Sequence, residues 1–420
     1  MTVNRKSPSA PSISFRVEPG QIKVEFSVIT HLFGGGVHID PSRTHQKECD
    51  RRTPVRGATL RGQLRFWWRA TVGCRFGSHA QMLAHETEVW GNASSPGSVK
   101  LRVESQPAIG QEEPVYKTTQ NANTGSYQTR GIDPAISYGA FSLQPLSEHL
   151  RSNDPHVREG GKLQHLSGKA TCILTFAEAH RKDVEAALRS WITFGGMGGR
   201  TRRGFGAVSE QGLSSDEVKK RVFAMDQTLP MVPSLHGARV AFLAGEFATA
   251  RDALASGLAK LQKFRQGPNL GRNPGRDNPN RPGRSRWPEP ELIRELTRRS
   301  DPQHRERFVG VDKVPRWVFG MPIVFHFQSR TDPGDTELRP RDFDRMASPL
   351  IIRPFTKPNG KYSCVALALS VPGMEVPLVL KKAPGDPVVQ GRVTQAEAKK
   401  IAPLAGATDP LAAFLDRFAQ

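Results

Sequence analysis

Residues 195–206 hold six glycines (195, 196, 198, 199, 204 and 206) around Arg200, Arg202 and Arg203. So much glycine can neither continue a helix nor fill a strand, because it costs backbone entropy and packs nothing. The preceding stretch, Arg181–Phe194, puts Val184, Leu188, Trp191 and Ile192 on one helical face. Phe205–Val208, after it, reads as the entry to a strand. The chain must therefore pass from helix to strand through a loop whose backbone is free to approach a ligand. Such a loop can aim N–H groups at an anion, and three arginines add charge. A tight turn without a ligand is the plainer alternative. Two nucleotide motifs are excluded by order alone, since a P-loop (GxxxxGK[ST]) and a dinucleotide fingerprint both precede a helix. RGFGAV (203–208) follows an RNA-recognition consensus but departs from it at Ala207 and Glu210, where aromatics belong.

Elsewhere, strand and helix periodicities alternate. Gln21–Thr30 sets Ile22, Val24, Phe26 and Val28 against polar residues, as in a half-buried strand. A helix is predicted from about Thr59 to Gly73 and a shorter one over Ser78–Trp90. Strands are predicted at Ser98–Glu104, Tyr138–Leu143 and Lys169–Phe176, while 105–136, rich in Gln, Asn, Thr, Pro and Gly, reads as a long surface loop. The order strand, helix, strand, strand, helix, strand is the split βαβ pattern of a ferredoxin-like domain. A second start follows: a strand at Ala238–Leu243, a helix over Phe247–Lys263, and a flexible basic loop at 267–286. A helix then opens at Trp287-Pro288-Glu289, with strands at Val318–Phe327 and Tyr362–Leu369. The expected fold class is α+β, with two ferredoxin-like (RRM-like) domains carrying long insertions, over 13–215 and 238–370. A disordered tail over 1–12 and a C-terminal extension over 371–420 complete the division.

Charge narrows the partner. The formal net charge is +20, and arginine outnumbers lysine 41 to 19. Arginine contacts phosphate bidentately and stacks on bases, so a polyanion, by default nucleic acid, is expected. Segments 51–76, 195–209 and 260–287 carry 17 of those 20 charges. On the first predicted helix, Arg61, Arg65, Trp68 and Arg69 form a stripe opposite Leu60, Leu64 and Trp67, and 51–76 contains no acid. A basic face with an interleaved aromatic suits single-stranded nucleic acid, although Trp67 and Trp68 could equally be core residues.

TPVRGATLRGQLRFWWRA (53–70) and WITFGGMGGRTRRGFGAV (191–208) resemble two signatures of the RAMP superfamily. Within it they are similar to the first RAMP subunit of the Cmr module of type III-B CRISPR effector complexes. GRSRWPE (283–289), FGMPIVFHF (319–327) and the run Ala347–Ile352 resemble later segments, so the likeness runs from about 20 to 370. It implies two ferredoxin-like domains, no catalytic centre, and an RNA-binding place in a ribonucleoprotein near the 3′ end of the CRISPR RNA (crRNA), helping to engage target RNA. The implied partners are crRNA, target RNA and other Cmr-module subunits, with no cofactor. The RNA-contacting candidates are Arg56, Arg61, Arg65, Trp68 and Arg69 on the helix and Gly198, Gly199, Arg200, Arg202, Arg203 and Phe205 in the loop. Arg272, Arg276, Arg281, Arg284 and Arg286 join them on charge alone.

Other classes fare worse. No stretch approaches the roughly 20 apolar residues of a membrane span, and the N-terminus has no apolar core of a secretory signal. Cys49, Cys74, Cys172 and Cys364 lie far apart, as in a cytoplasmic protein with reduced thiols. His31, His38, His45 and Cys49 match no zinc signature, and His79, His85 and Glu86 are not in HExxH order, so no metal is expected. A metal-independent endoribonuclease using His31, and a stand-alone RNA-binding protein, are the two alternatives.

Overall fold

The computed structural model describes residues 19–34, 50–152, 158–275, 278–279, 282–304, 308–327 and 329–420. It is an α+β structure of several small antiparallel sheets. The first sheet contains β1 (Pro19–Val28), β2 (Lys100–Ser105), β3 (Ala170–Ala177) and β4 (Val208–Ser209), in the order β2-β3-β1-β4. β1 and β3 pair from Pro19↔Ala177 to Phe26↔Ala170. The period-two pattern decides which face is covered, since Val24, Phe26 and Val28 are buried while Lys23 and Glu25 stay exposed. Three helices belong to this half: α1 (Gly57–Thr71), α2 (His79–Trp90), capped by the Ser78 hydroxyl, and α3 (Arg181–Phe194). Leu60, Leu64, Trp67 and Trp68 of α1 join Val184, Leu188 and Trp191 of α3 in one core, where the Trp191 ring meets Phe26 edge-on at 4.9 Å.

The second half is built on β5 (Ser234–Phe242), α4 (Ala250–Gln266), β6 (Leu350–Thr356) and β7 (Tyr362–Ser370), with strand order β6-β7-β5. This sheet is covered on both faces, so its strands read as nearly unbroken apolar runs. Ile351, Phe355, Val365 and Leu367 join the first core. Ile352, Cys364, Ala366 and Ala368 alternate into a second one, with Leu261, Phe264, Trp287 and Phe319. α5 (Pro410–Phe418) inserts Phe414 and Phe418 there, so chain beyond 370 is integral to this core. Another antiparallel sheet orders Ile323–Phe325, Thr336–Pro340, Leu378–Lys381 and Val388–Val389.

Four local expectations are corrected. Residues 105–136 are not a loop: Ala108–Pro114 pairs with Lys162–Ser167, and Tyr116–Gln120 with Tyr127–Gly131. The strands within 108–131 are largely exposed on both faces, so they lack the alternation that marks a strand. The strand expected at Tyr138–Leu143 is a short helix, Pro134–Gly139, capped by Asp133 and followed by a 3-10 turn. Asp before Pro is a helix-start signal, and it overrode the apolar spacing. Within 267–286, Arg272–Pro274 pairs with Pro282–Ser285 as a small hairpin. The strand expected over Val318–Phe327 shrinks to Ile323–Phe325, preceded by a 3-10 helix at Pro315–Phe319. The 1–12 tail lies outside the described residues.

Candidate nucleic-acid interface

The glycine-rich loop leaves α3 at Gly195 and folds against Leu32–Gly34. Gly198, Gly204 and Gly206 have φ of +75°, +76° and +62°, which side chains disfavour. A Cβ on Gly204 would stand 2.8 Å from the Ile352 carbonyl, and one on Gly206 would stand 2.0 Å from that of Met197. Many loop N–H groups are spent internally: Gly199 donates to the Phe33 carbonyl, Gly206 to that of His31, and Met197 to that of Gly206. Arg203, Gly204 and Ala207 donate within the protein too. The glycines therefore serve close packing, and the anion-binding capacity rests on the arginine side chains.

Those side chains divide. Arg203 is buried and donates to the Leu350 and Phe319 carbonyls at 3.0 and 3.4 Å, so it ties the loop to the second half. Phe205 is also buried, edge-on to Phe33 at 5.4 Å, and presents no stacking face. Arg200 and Arg202 remain half-buried, with guanidinium carbons 4.5 Å above the Phe141 ring and 5.2 Å above the Phe66 ring. Arg265 of α4 comes beside Arg200 and donates to the Tyr138 hydroxyl at 3.0 Å. Burial pushes the Arg200 and Arg202 pKa values down, and neighbouring Arg265 adds to the effect at Arg200. Among the described residues no carboxylate pairs with Arg200, Arg202, Arg203 or Arg265 (the ion pairs of the chain lie elsewhere). No protein acceptor reaches the buried Nε atoms of Arg200, Arg202 and Arg265. An acid-free group of partly desolvated guanidiniums favours an anion, and Phe141, 58% exposed beside Arg200, offers an aromatic face next to it.

The helix stripe behaves differently. Trp68 is a correction, at 0% exposure with its indole N–H donating to Asp183 at 2.7 Å. An indole that packs in a core and has a partner for its N–H is held there, unavailable to a base. Arg61 donates to the Trp90 and Val99 carbonyls at 2.8 and 3.0 Å. Arg65 and Arg69 share Glu86 of α2, at 2.8 and 2.6 Å, and Glu86 is only 1% exposed. The acid missing from 51–76 thus arrives from another helix. Arg56 sits at the N-cap of α1, 3.4 Å from the Thr59 hydroxyl. In the basic hairpin Arg272, Arg284 and Arg286 donate to the carbonyls of Gly283, Gln303 and Asn269. Arg276 and Arg281 lie outside the described residues, as do His38, His45 and Cys49.

Sequence reasoning missed Arg353 of β6, which donates to the carbonyls of Ile192, Gly195, Val208 and Pro354. It also missed Tyr138 and Phe141, assigned to a strand, for which the Asp133-Pro134 signal was the clue. No helix among the described residues is long and apolar enough to cross a membrane.

The glycine-rich loop thus lies between a helix and a sheet edge of an α+β fold, with arginines beside it, and sequence comparison shows what it resembles. A family model of the RAMP superfamily matches residues 25–209. Over those residues the chain is similar to RAMP-superfamily proteins. A curated relative, the CRISPR system Cmr subunit Cmr1-2 of Pyrococcus furiosus, is 25% identical over 171 residues, covering 39% of this chain and 88% of the relative. Similar solved structures include apo Cmr1 from Pyrococcus furiosus, at 18% identity and TM-score 0.44, covering 91% of this chain and 95% of that one. Another is a chain of the type III-B Cmr-beta complex bound to cognate target RNA, at 12% identity and TM-score 0.43, covering 84% and 95%.

Proposed function

We propose that this chain is a non-catalytic RNA-binding subunit of a type III-B CRISPR ribonucleoprotein, and that its first half is a ferredoxin-like domain. It contacts crRNA near the 3′ end and target RNA, alongside other Cmr-module subunits. The observation that carries the reading is that, among the described residues, Arg200, Arg202 and Arg265 have no carboxylate partner, with Arg200 over the exposed Phe141 ring. Phosphates seat on the guanidiniums and a base stacks on Phe141, so binding is largely independent of sequence, which guide–target pairing supplies.

Fluorescence anisotropy with single-stranded RNA, repeated over a salt series, tests it. Replacing Arg200, Arg202 and Arg265 together by Ala should lower the slope of log affinity against log salt by about 2, at ~0.7 per lost phosphate contact. Phe141→Ala should weaken binding by about 1–3 kcal/mol at unchanged slope. An unchanged slope in the triple variant refutes the assignment. Copurification with a guide RNA and several subunits separates this reading from a stand-alone RNA-binding protein.

One observation favours a second reading, a histidine endoribonuclease: the rings of His31 and His165 lie 5.6 Å apart. However, His31 Nε2 is engaged by Glu113 at 3.1 Å, and Glu113 is itself clamped by Arg251 at 2.7 Å. An RNA cleavage assay with His31→Ala as control decides it, since cleavage lost in the variant would establish the enzyme.

A further inference from the structure

We propose that His85, His180 and Asp183 form a binding site for a divalent transition-metal ion of the Zn²⁺ kind. The three come from α2, from the Glu178–His180 turn and from the first turn of α3, and one donor atom of each lies within 4.8 Å of the others. His180 and Asp183 are buried and His85 is half-buried.

Spacing argues for an ion over a plain hydrogen-bond network. His85 Nε2 stands 3.6 Å from Asp183 Oδ1, and His180 Nε2 stands 3.5 Å from Glu88 Oε1. Both separations exceed a good N–H···O hydrogen bond. They are close to the ~3.3 Å between ligands that tetrahedral metal bonds of about 2.0 Å impose. Two imidazoles with a carboxylate are a donor set that Zn²⁺ and its neighbours accept. The fourth position is left to water.

The surroundings hold the ligands in place. Trp68 donates its indole N–H to Asp183 Oδ1 at 2.7 Å and fixes the carboxylate. His85 turns its other nitrogen, Nδ1, toward the exposed Glu88 Oε2 at 3.4 Å. Trp68 and Phe76 cover the His85 ring, at 5.9 and 5.3 Å, and make an apolar wall. The Asp183 carboxylate is buried, and among the described residues no Lys or Arg pairs with it. A divalent cation balances that charge. It would also clamp α2 to α3 across Trp68, steadying the helix whose Glu86 holds Arg65 and Arg69.

The full chain, stripped with a chelator, is titrated with Zn²⁺ by calorimetry and with Co²⁺ by visible absorption. The expected result is one ion per chain, the intense bands of four-coordinate Co²⁺, and a rise in thermal midpoint on adding Zn²⁺. All three should be lost in His85→Gln and His180→Gln. If His180→Gln fails to fold by circular dichroism, His85→Gln, at the half-exposed ligand, decides alone. No stoichiometric binding by the wild type, or equal binding by the variants, overturns the site. RNA affinity is not the readout, so failure here leaves the RNA-binding reading standing.

Discussion

Arg353→Met removes one guanidinium that joins the two halves of the molecule. The side chain is 1% exposed, and three of its four acceptors lie in the first half. Two of those, the Ile192 and Gly195 carbonyls, close the C-terminal end of α3 at 3.0 and 2.8 Å, and the third is Val208 on β4. Carbonyls at a helix end have no partner of their own, and a cation there is also favoured by the helix dipole. Each buried carbonyl left without a donor costs roughly 1–3 kcal/mol, so three cost about 3–6 kcal/mol when they are partly relieved by relaxation. Methionine fills similar space and no longer requires a cation to be buried, which offsets part of that loss. The net expectation is about 2–4 kcal/mol of local stability. Amide exchange over 192–208 should then accelerate by roughly 30- to 1000-fold, at tenfold per 1.4 kcal/mol. Arg353→Lys, which keeps the charge but not the planar fork, should fall between. Exchange within threefold of wild type in the Met variant would show that the carbonyls find other donors and that the guanidinium does not pin the loop.

Glu86→Gln should lower stability by about 1–2 kcal/mol in urea titration. A buried charge is lost, but its partners Arg65 and Arg69 keep some solvent. Gly204→Ala should cost about 2 kcal/mol or more in thermal melts, combining the φ of +76° with a Cβ contact of 2.8 Å to a backbone carbonyl. Burial holds the His31 pKa below its ordinary value despite Glu113. The unfolded chain then takes up this proton first, so the contribution of neutral His31 is complete above about pH 6.5 and is lost as pH falls toward the lower folded value. Replacing His31 by Gln should flatten stability against pH in that window, and an unchanged profile would assign the acid sensitivity elsewhere.

The helices and core strands were legible because each buries one face and repeats with its own period. α3 was read to the residue from Val184, Leu188, Trp191 and Ile192. The ribbons within 108–131 were not, because strands exposed on both faces carry no period-two signal and are recognised only through their partners. Of the both-faces-buried strands, β7 was read at Tyr362–Leu369 while β6 was not, and an unbroken apolar run does not say that a strand separates two cores.

For the site, the arginines stood out but their duties did not, because a guanidinium's role depends on which acceptors the fold brings to it. Arg61, Arg65 and Arg69 looked unpaired in 51–76, and tertiary contact supplied Glu86 and two carbonyls. Arg203 lies one residue from Arg202, yet it is buried and bonded while Arg202 keeps a buried Nε without a protein acceptor. Arg265 was counted only within the basic segment 260–287, and α4, running past the expected helix end at Lys263, places it beside Arg200. Net charge alone therefore overstates the RNA-facing surface, because an arginine already bonded to a carbonyl or carboxylate must give up that partner to neutralise a phosphate. Among the described residues Arg200, Arg202 and Arg265 have no carboxylate to give up. Their loss should therefore change the salt slope more than the loss of Arg61, Arg65 or Arg69, which must first break bonds to carbonyls or to Glu86.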